Sequence, residues 1–318
     1  MHAIDGLLDL ADIEAARDRI AGRVHRTPLF STTSLGDLFG VELSVKAELF
    51  QRTGSFKPRG VFNKLLQLPR SDLAQGLVSI SAGNHAAALA YGATAVGAGA
   101  TIVMPANALP SKIEATRSYG GEVVLTEGDL MEECLRIQEA RGSTLVHPFD
   151  DPDVIAGQGT VGLEILEDAP DVEAILVPVG GGGLISGIAA AVKLQRPGVL
   201  VIGVEPATAD AMSRSLAEGR PVSIGHPVTV ADGLAAPFAG EHTLRHVRRF
   251  VDRVVRVTDE EIVAALRLVF QRTKLAAEPS GAAGIAALAG PLELRAGTRV
   301  VCVVTGGNLD LGRLREIL

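Results

Sequence analysis

The segment Thr53-Gly54-Ser55-Phe56-Lys57-Pro58-Arg59-Gly60 is where this 318-residue chain could first do covalent chemistry. Pro58 biases Lys57 away from αR geometry and suits the first turn of a helix. Lys57 is therefore predicted at a helix start, beside unpaired backbone N–H groups. The positive end of the helix dipole disfavours an ammonium. A lysine acting as an imine-forming nucleophile benefits from a lowered pKa. The alternative is a surface lysine beside a turn.

Three further segments supply polar groups of the right kind. Ser79-Ile80-Ser81-Ala82-Gly83-Asn84-His85 follows an aliphatic run and opens an Ala-rich helix. Small polar residues at the carboxyl end of a strand put N–H and O–H donors where a carboxylate could bind. Asn84 or Ser81 could instead cap the helix, and His85 could simply be packed. Val177-Pro178-Val179-Gly180-Gly181-Gly182-Gly183-Leu184 places four glycines between a strand and a helix. Backbone amides can close around an anion there. The loop lacks the Lys-Ser/Thr of a Walker A motif and fits Gly-x-Gly-x-x-Gly in no frame, which points to a single phosphate held without a metal. A structural glycine turn is the alternative. Thr305-Gly306-Gly307-Asn308 ends the last aliphatic run, and its hydroxyl could meet a ring nitrogen.

Two other patterns fail their context. Gly157, Gly159 and Gly162 spell Gly-x-Gly-x-x-Gly, but no strand runs into them and position 182 is Gly rather than acidic. His242 and His246 stand at i, i+4 without the glutamate of a metalloprotease motif, so an exposed pair is expected rather than a zinc site.

The elements that must position these segments alternate short aliphatic runs with amphipathic stretches. Strands are predicted over 77–81, 100–104, 122–126, 144–147, 174–179, 199–204, 254–257 and 300–305. Capping-box spacing at Ser111–Glu114 and at Thr258–Glu261 opens two of the intervening helices, and Gly120 stops the first. Such alternation argues for an α/β fold of βαβ units with parallel sheets. No fixed-period repeat or Pro/Ser-rich linker interrupts it. A tight boundary between two domains fits near Pro69 and Pro148–Pro152.

Composition agrees. The chain is 47% hydrophobic but only 3% aromatic, has no Trp and holds 36 glycines, so aliphatic strands covered by helices must make the core. A net charge of −7 argues against nucleic acid. The densest basic run, Arg245–Arg249, reads as a solvated helix face. Two cysteines, Cys134 and Cys302, exclude a disulfide framework and suit a reducing cytoplasm. Asp5, Asp9 and Asp12 interrupt any signal peptide. The uncharged stretches 86–111 and 174–192 are broken by glycines and prolines, which fits buried βα units rather than membrane spans.

In order, Gly54-Ser55-Phe56-Lys57, Ser81–His85, Gly180–Gly183 and Thr305–Asn308 resemble the fold type II pyridoxal-phosphate enzymes, most closely the serine/threonine dehydratases. His147-Pro148-Phe149-Asp150-Asp151 and Ala156-Gly157-Gln158-Gly159-Thr160 are also similar to that family. The resemblance spans about 27–311 and implies a tryptophan synthase β-subunit-like fold of two domains with twisted, mostly parallel sheets. A large cofactor domain would comprise 1–68 and 150–318, with a small domain, 69–149, inserted. A C-terminal regulatory domain is not expected.

By motif, Lys57 would form the Schiff base with pyridoxal 5′-phosphate and act as the Cα base, and Phe56 would pack on the ring. Asn84 would bond the 3-hydroxyl, and Gly180, Gly181, Gly182, Gly183 and Leu184 would hold the phosphate. Ser81, Ala82 (by its amide), Gly83, Asn84 and His85 would bind the substrate carboxylate, and Thr305 would face the ring nitrogen. The activity implied is α,β-elimination from L-threonine, L-serine or a similar β-hydroxy amino acid, giving a 2-oxo acid and ammonia. A 3-hydroxyaspartate dehydratase, a serine racemase and a non-catalytic binder of cofactor or amino acid are the alternatives. Ala82 stands where related racemases carry their second acid, a serine. Pro58 and Ala87-Ala88 also depart from the commoner family residues, which leaves the substrate open. Glu205 and the Ala209 carbonyl match part of a Mg²⁺ or Ca²⁺ site, but Ala211 lacks the second carboxylate. A weakly bound cation or none is therefore expected. A homodimer is implied.

Overall fold

The computed structural model describes residues 6–317; Asp5 and the other terminal positions lie outside the described residues. Ten strands form two sheets. They are β1 (Leu29–Ser31), β2 (Glu42–Ala47), β3 (Leu77–Ile80), β4 (Ala100–Pro105), β5 (Glu122–Thr126), β6 (Thr144–Leu145), β7 (Ala174–Pro178), β8 (Leu200–Pro206), β9 (Arg253–Val257) and β10 (Arg299–Val304). The larger sheet runs β1-β2-β10-β7-β8-β9 and the smaller β5-β4-β3-β6. All pairings are parallel except β1 with β2.

The predicted strands are all present, with ends displaced by up to two residues, while β1 and β2 are additional. Their residues alternate less clearly. Lys46 is charged, and β1 shows one half-buried and two exposed positions.

The sheet separates two cores because successive side chains in a strand face opposite ways. Ile175, Val177, Val301 and Val303 enter one core with the helices Leu10–Ile20, Pro152–Asp168 and Gly183–Gln195. Their neighbours Ala174, Leu176, Val300, Cys302 and Val304 enter the other, with Asp259–Leu268 and Pro279–Ala289. Fully burying one such aliphatic side chain contributes about 1.5–3 kcal/mol. Leu77, Ile102 and Met104 build the core of the small sheet.

Two capping boxes were expected. Thr258 and Glu261 form theirs reciprocally, at 3.2 and 2.7 Å. The one at Ser111 is absent. The helix Pro110–Ser118 begins two residues earlier than that cap would place it, after Leu109, with proline in its first turn. The Ser111 hydroxyl bonds Asp310 instead. Gly120 does end this helix, at φ +91.

The literal Gly-x-Gly-x-x-Gly lies inside the helix Pro152–Asp168, where each glycine admits a neighbour. A Cβ on Gly157 would come within 2.5 Å of the Arg59 carbonyl oxygen, and one on Gly162 within 3.0 Å of Ala191. Arg245, Arg248 and Arg249 are exposed as the solvated-face reading requires, but His246 is fully buried. The expectation of an exposed histidine pair is thus corrected. His246 Nε2 accepts the Leu8 N–H at 3.0 Å, fastening the N-terminal segment. Both cysteines are buried and unpaired. Among the described residues no helix is long and apolar enough to cross a membrane.

Candidate active site

The larger sheet reverses its winding between β10 and β7, because β8 and β9 extend one way from β7 while the chain returns to β10 on its other side. Ligands in open α/β sheets bind outside the carboxyl ends of strands at such a switch point. The loops following β7 and β10 are Gly180–Gly183 and Thr305–Asn308.

Lys57 is brought there by backbone stapling. Thr53 and Gly54 both adopt left-handed conformations, φ 59 and 76. A β-branched residue in that region is strained and persists only where its surroundings fix it. Here Asn308 Nδ2 donates to the Thr53 carbonyl at 2.6 Å, and the Gly307 N–H donates to Gly54 at 2.9 Å. Ser55 bridges Gly306, and the Phe56 N–H donates to the Thr305 carbonyl at 3.1 Å.

Lys57 precedes the helix Pro58–Leu65, as predicted, but its own backbone is αR (φ −53, ψ −37) rather than extended. Its carbonyl accepts the Val61 N–H at 3.2 Å, and this helical bond outweighs the bias from Pro58. Nζ donates to the Pro148 carbonyl at 2.8 Å and sits 5.0 Å from the centre of the Phe56 ring. Burial lowers its pKa to about 8.

At the end of β3, Ser81 Oγ accepts the Gly83 N–H at 3.2 Å, and the helix Asn84–Val96 begins. Ser81, Ala82, Gly83 and Asn84 are half-buried. The His85 ring is buried, with Nε2 3.1 Å from Ser79 Oγ and 3.3 Å from the Val146 carbonyl. Its pKa falls to about 3, first through desolvation and then through Lys57. The ring is therefore neutral and packed, leaving its backbone N–H as the group near the loop.

Gly182 adopts φ +93 before the helix Gly183–Gln195, a left-handed to right-handed sequence that makes neighbouring N–H groups converge. The N–H groups of Gly181, Gly182, Gly183 and Leu184 have no protein acceptor among the described residues. Side chains would not fit. A Cβ on Gly181 would lie 2.5 Å from the Phe149 ring, and one on Gly182 2.5 Å from Met212.

Asn84 is held on both sides. Its Nδ2 donates to Glu278 at 2.7 Å, and its Oδ1 accepts from Asn308 Nδ2 at 2.8 Å. Glu278 was not singled out in the sequence. Desolvation, then Asp232, raises its pKa to about 7. The available signal was an acid directly before the proline that starts an apolar helix. Thr305 is buried at the end of β10. Ser55 Oγ and Ser280 Oγ are buried without partners.

Arg59, two residues beyond Lys57, is fully buried. It meets Glu48 at 2.8 Å and Glu164 at 2.7 Å, and Lys46 also meets Glu164 at 2.7 Å. This balanced cluster ties the helix Pro58–Leu65 to β2 and to the helix Pro152–Asp168.

At the cation site suggested by Glu205 and Ala209, the one carboxylate is already held by protein donors. The buried Glu205 carboxylate accepts from Met212 N (2.8 Å), Ser213 N (2.9 Å) and Ser213 Oγ (2.6 Å). Ala211 offers no carboxylate, and Asp210 is paired with Arg214 and Arg256. Among the described residues no three His, Cys, Asp or Glu side chains group as metal ligands.

The family described as pyridoxal-phosphate dependent enzyme matches residues 20–306. L-threonine ammonia-lyase of Thermotoga maritima is 44% identical over 98% of this chain and 78% of its own length. Maize serine racemase, 40% identical, has a similar structure, with a TM-score of 0.92 over 97% of this chain and 96% of its own. The T.th. threonine deaminase, 44% identical, gives a TM-score of 0.90 over 95% of this chain and 99% of its own. The matched span takes in Lys57, the bare glycine loop and Thr305 at the switch point. This protein belongs to the pyridoxal-phosphate dependent enzyme family.

Proposed function

We propose that this protein is a pyridoxal-phosphate dependent ammonia-lyase acting on a small β-hydroxy amino acid, with L-threonine and L-serine as the first substrates to test. The reaction removes the Cα proton and the β-hydroxyl as water. Addition of water then releases ammonia and leaves a 2-oxo acid. The observation that carries the reading is Lys57, an amine desolvated without a counter-charge and bonded to Pro148, whose neighbour Phe149 lies against the glycine loop. Relatives named as threonine ammonia-lyase support the reaction class.

The residues present fit the cofactor: free N–H groups for a phosphate, an unpaired amine, and a clamped amide at Asn84. When bound, pyridoxal phosphate draws electrons from the substrate and makes its Cα proton acidic. Lys57 Nζ takes that proton as general base. Ser81 Oγ, held by the Gly83 N–H, and the backbone N–H groups of Ala82, Asn84 and His85 bind the substrate carboxylate. Asn84, oriented by Glu278 and Asn308, donates its second amide hydrogen to the ring oxygen. Phe56 packs on the ring, and the N–H groups from Gly180 to Leu184 hold the phosphate. Thr305 offers a hydroxyl to the ring nitrogen. A neutral hydroxyl does not keep that nitrogen protonated, which favours elimination over transamination.

Serine racemases also resemble this chain. Racemisation needs an acid–base group on each face of Cα, and Ala82 has none to offer. The division into 1–68 with 150–318 and 69–149 is part of the same proposal, supported by the two sheets drawing their strands from these segments. A cytoplasmic location rests on the two unpaired cysteines, and a homodimer on the family resemblance alone. The deciding experiment screens amino acids for 2-oxo acid release and follows the chirality of recovered substrate. Release from L-threonine or L-serine with little D-isomer supports the lyase. Rapid D-serine formation without 2-oxo acid overturns it.

A further inference from the structure

The glycine loop is held in shape from outside. The helix Glu241–Phe250 starts after Gly240, whose own residue provides no side-chain cap. Asp150 caps it from more than ninety positions away, accepting the Glu241 N–H at 3.0 Å and the Thr243 N–H at 3.1 Å. Gly240 leaves room for this, since a Cβ there would overlap the Asp150 side chain. The carboxylate's charge is thus met by the positive end of that helix.

Fixed in this way, the buried Thr243 donates its hydroxyl to the Gly181 carbonyl at 2.8 Å, with a longer contact to Gly240 at 3.2 Å. Ser186 Oγ donates to the Thr243 carbonyl at 3.2 Å, closing the link from the other side. A trans peptide points its C=O and N–H in opposite directions. Anchoring the Gly181 oxygen on Thr243 therefore turns the Gly182 N–H to the far side, away from Thr243. The same carbonyl, were the helix extended backward, would accept from Ile185. The left-handed Gly182 breaks that continuation, and Thr243 takes the freed carbonyl instead.

We propose that Thr243, locked by Asp150, is a positioning residue that sets the Gly181–Gly182 peptide so that its N–H is available to the cofactor phosphate. The inference rests on the reading of Gly180–Gly183 as the phosphate site. Thr243 touches neither substrate nor cofactor in this role and acts only through the peptide it holds. A hydrogen bond to an uncharged group is worth about 0.5–1.5 kcal/mol, so the effect on phosphate recognition should be about two- to tenfold.

The test titrates apoprotein with pyridoxal phosphate and separately with pyridoxal, which lacks the phosphate, in wild type, Thr243→Val and Thr243→Ser. Wild type should prefer the phosphorylated form. Thr243→Val should lose about two- to tenfold of that preference while its affinity for pyridoxal is unchanged, and Thr243→Ser should restore it. A wild type indifferent to the phosphate overturns the phosphate-site reading itself. A wild type that prefers the phosphate, with Thr243→Val equally selective, overturns the role of Thr243 alone. Equal weakening of both ligands also overturns it, because that is the signature of general loosening. If Thr243→Val does not fold, Asp150→Ala carries the test. It keeps the hydroxyl but frees the helix that bears it, and unchanged selectivity there overturns the proposal.

Discussion

Lys57 and Arg59 are cations two residues apart at one helix start, the first half-buried and the second fully buried; both are desolvated, yet their fates are opposite. Lys57 finds only a carbonyl, at Pro148, and desolvation draws its pKa down to about 8. Burial also disfavours the Arg59 charge, but Glu48 and Glu164 more than offset it and hold its pKa above the ordinary value. The difference is the company each keeps. A buried cation with carboxylates on it becomes a structural rivet, whereas one without them becomes an amine ready to lose its proton. Glu164 shows the complement. Burial alone would raise its pKa, but Arg59 and Lys46 bring it below the usual range.

Removing the unpaired member should cost activity and spare the fold. Lys57→Ala should release no measurable 2-oxo acid while melting as a folded protein, since loss of a general base alone costs about 10²–10⁴ in rate and the cofactor anchor goes with it. Retained turnover would falsify the assignment. Removing the paired member should do the reverse. Arg59→Met strands the buried Glu48 and leaves Glu164 with Lys46 alone, and breaking such a cluster costs about 3–5 kcal/mol of stability. Denaturant unfolding measures it, and a loss well below that range would mean that the cluster contributes little to holding the helix.

A finer test uses pH. Lys57 has a folded pKa below its unfolded value, so its ionisation opposes folding at low pH. That penalty is complete below about pH 8 and fades as pH rises toward about 10.5. Apoprotein should therefore gain stability relative to Lys57→Met across that window, on the order of 3 kcal/mol at about 1.4 kcal/mol per pH unit. Parallel stability curves for the two proteins would show that Lys57 is not desolvated as described. The smallest effect concerns the side of Cα that Lys57 does not serve. Ala82→Ser supplies a hydroxyl and should raise D-serine formation from a low level to a measurable one by chiral chromatography. Substantial D-serine from the wild-type protein would remove the basis for reading Ala82 as the missing second acid.

Motif chemistry was legible because short-range spacing carries it. Lys57 before a helix, the four glycines between β7 and its helix, and Thr305 at the end of β10 are each fixed by neighbours within a few positions. Strands β7, β8 and β10 were legible for a similar reason, since strands covered by helices on both faces must be continuously aliphatic. β1 and β2 were not, because an edge position and a buried ion cluster both break that pattern. Lys46 reads as a surface residue until Glu164, from a helix far along the chain, arrives beside it.

Residue order thus specified the parts: an α/β chain, a lysine at a helix start, a glycine loop between a strand and a helix, and an alanine in the loop after β3. Packing in three dimensions chose what each part became. It made Lys57 helical against its proline, turned the His85 ring to Ser79 and Val146, clamped Asn84 between Glu278 and Asn308, and set the Glu205 carboxylate against the start of a helix. The physical reason is that hydrogen bonding and desolvation depend on which distant groups arrive at contact distance. Local sequence limits a residue's options, and the packed neighbours choose among them.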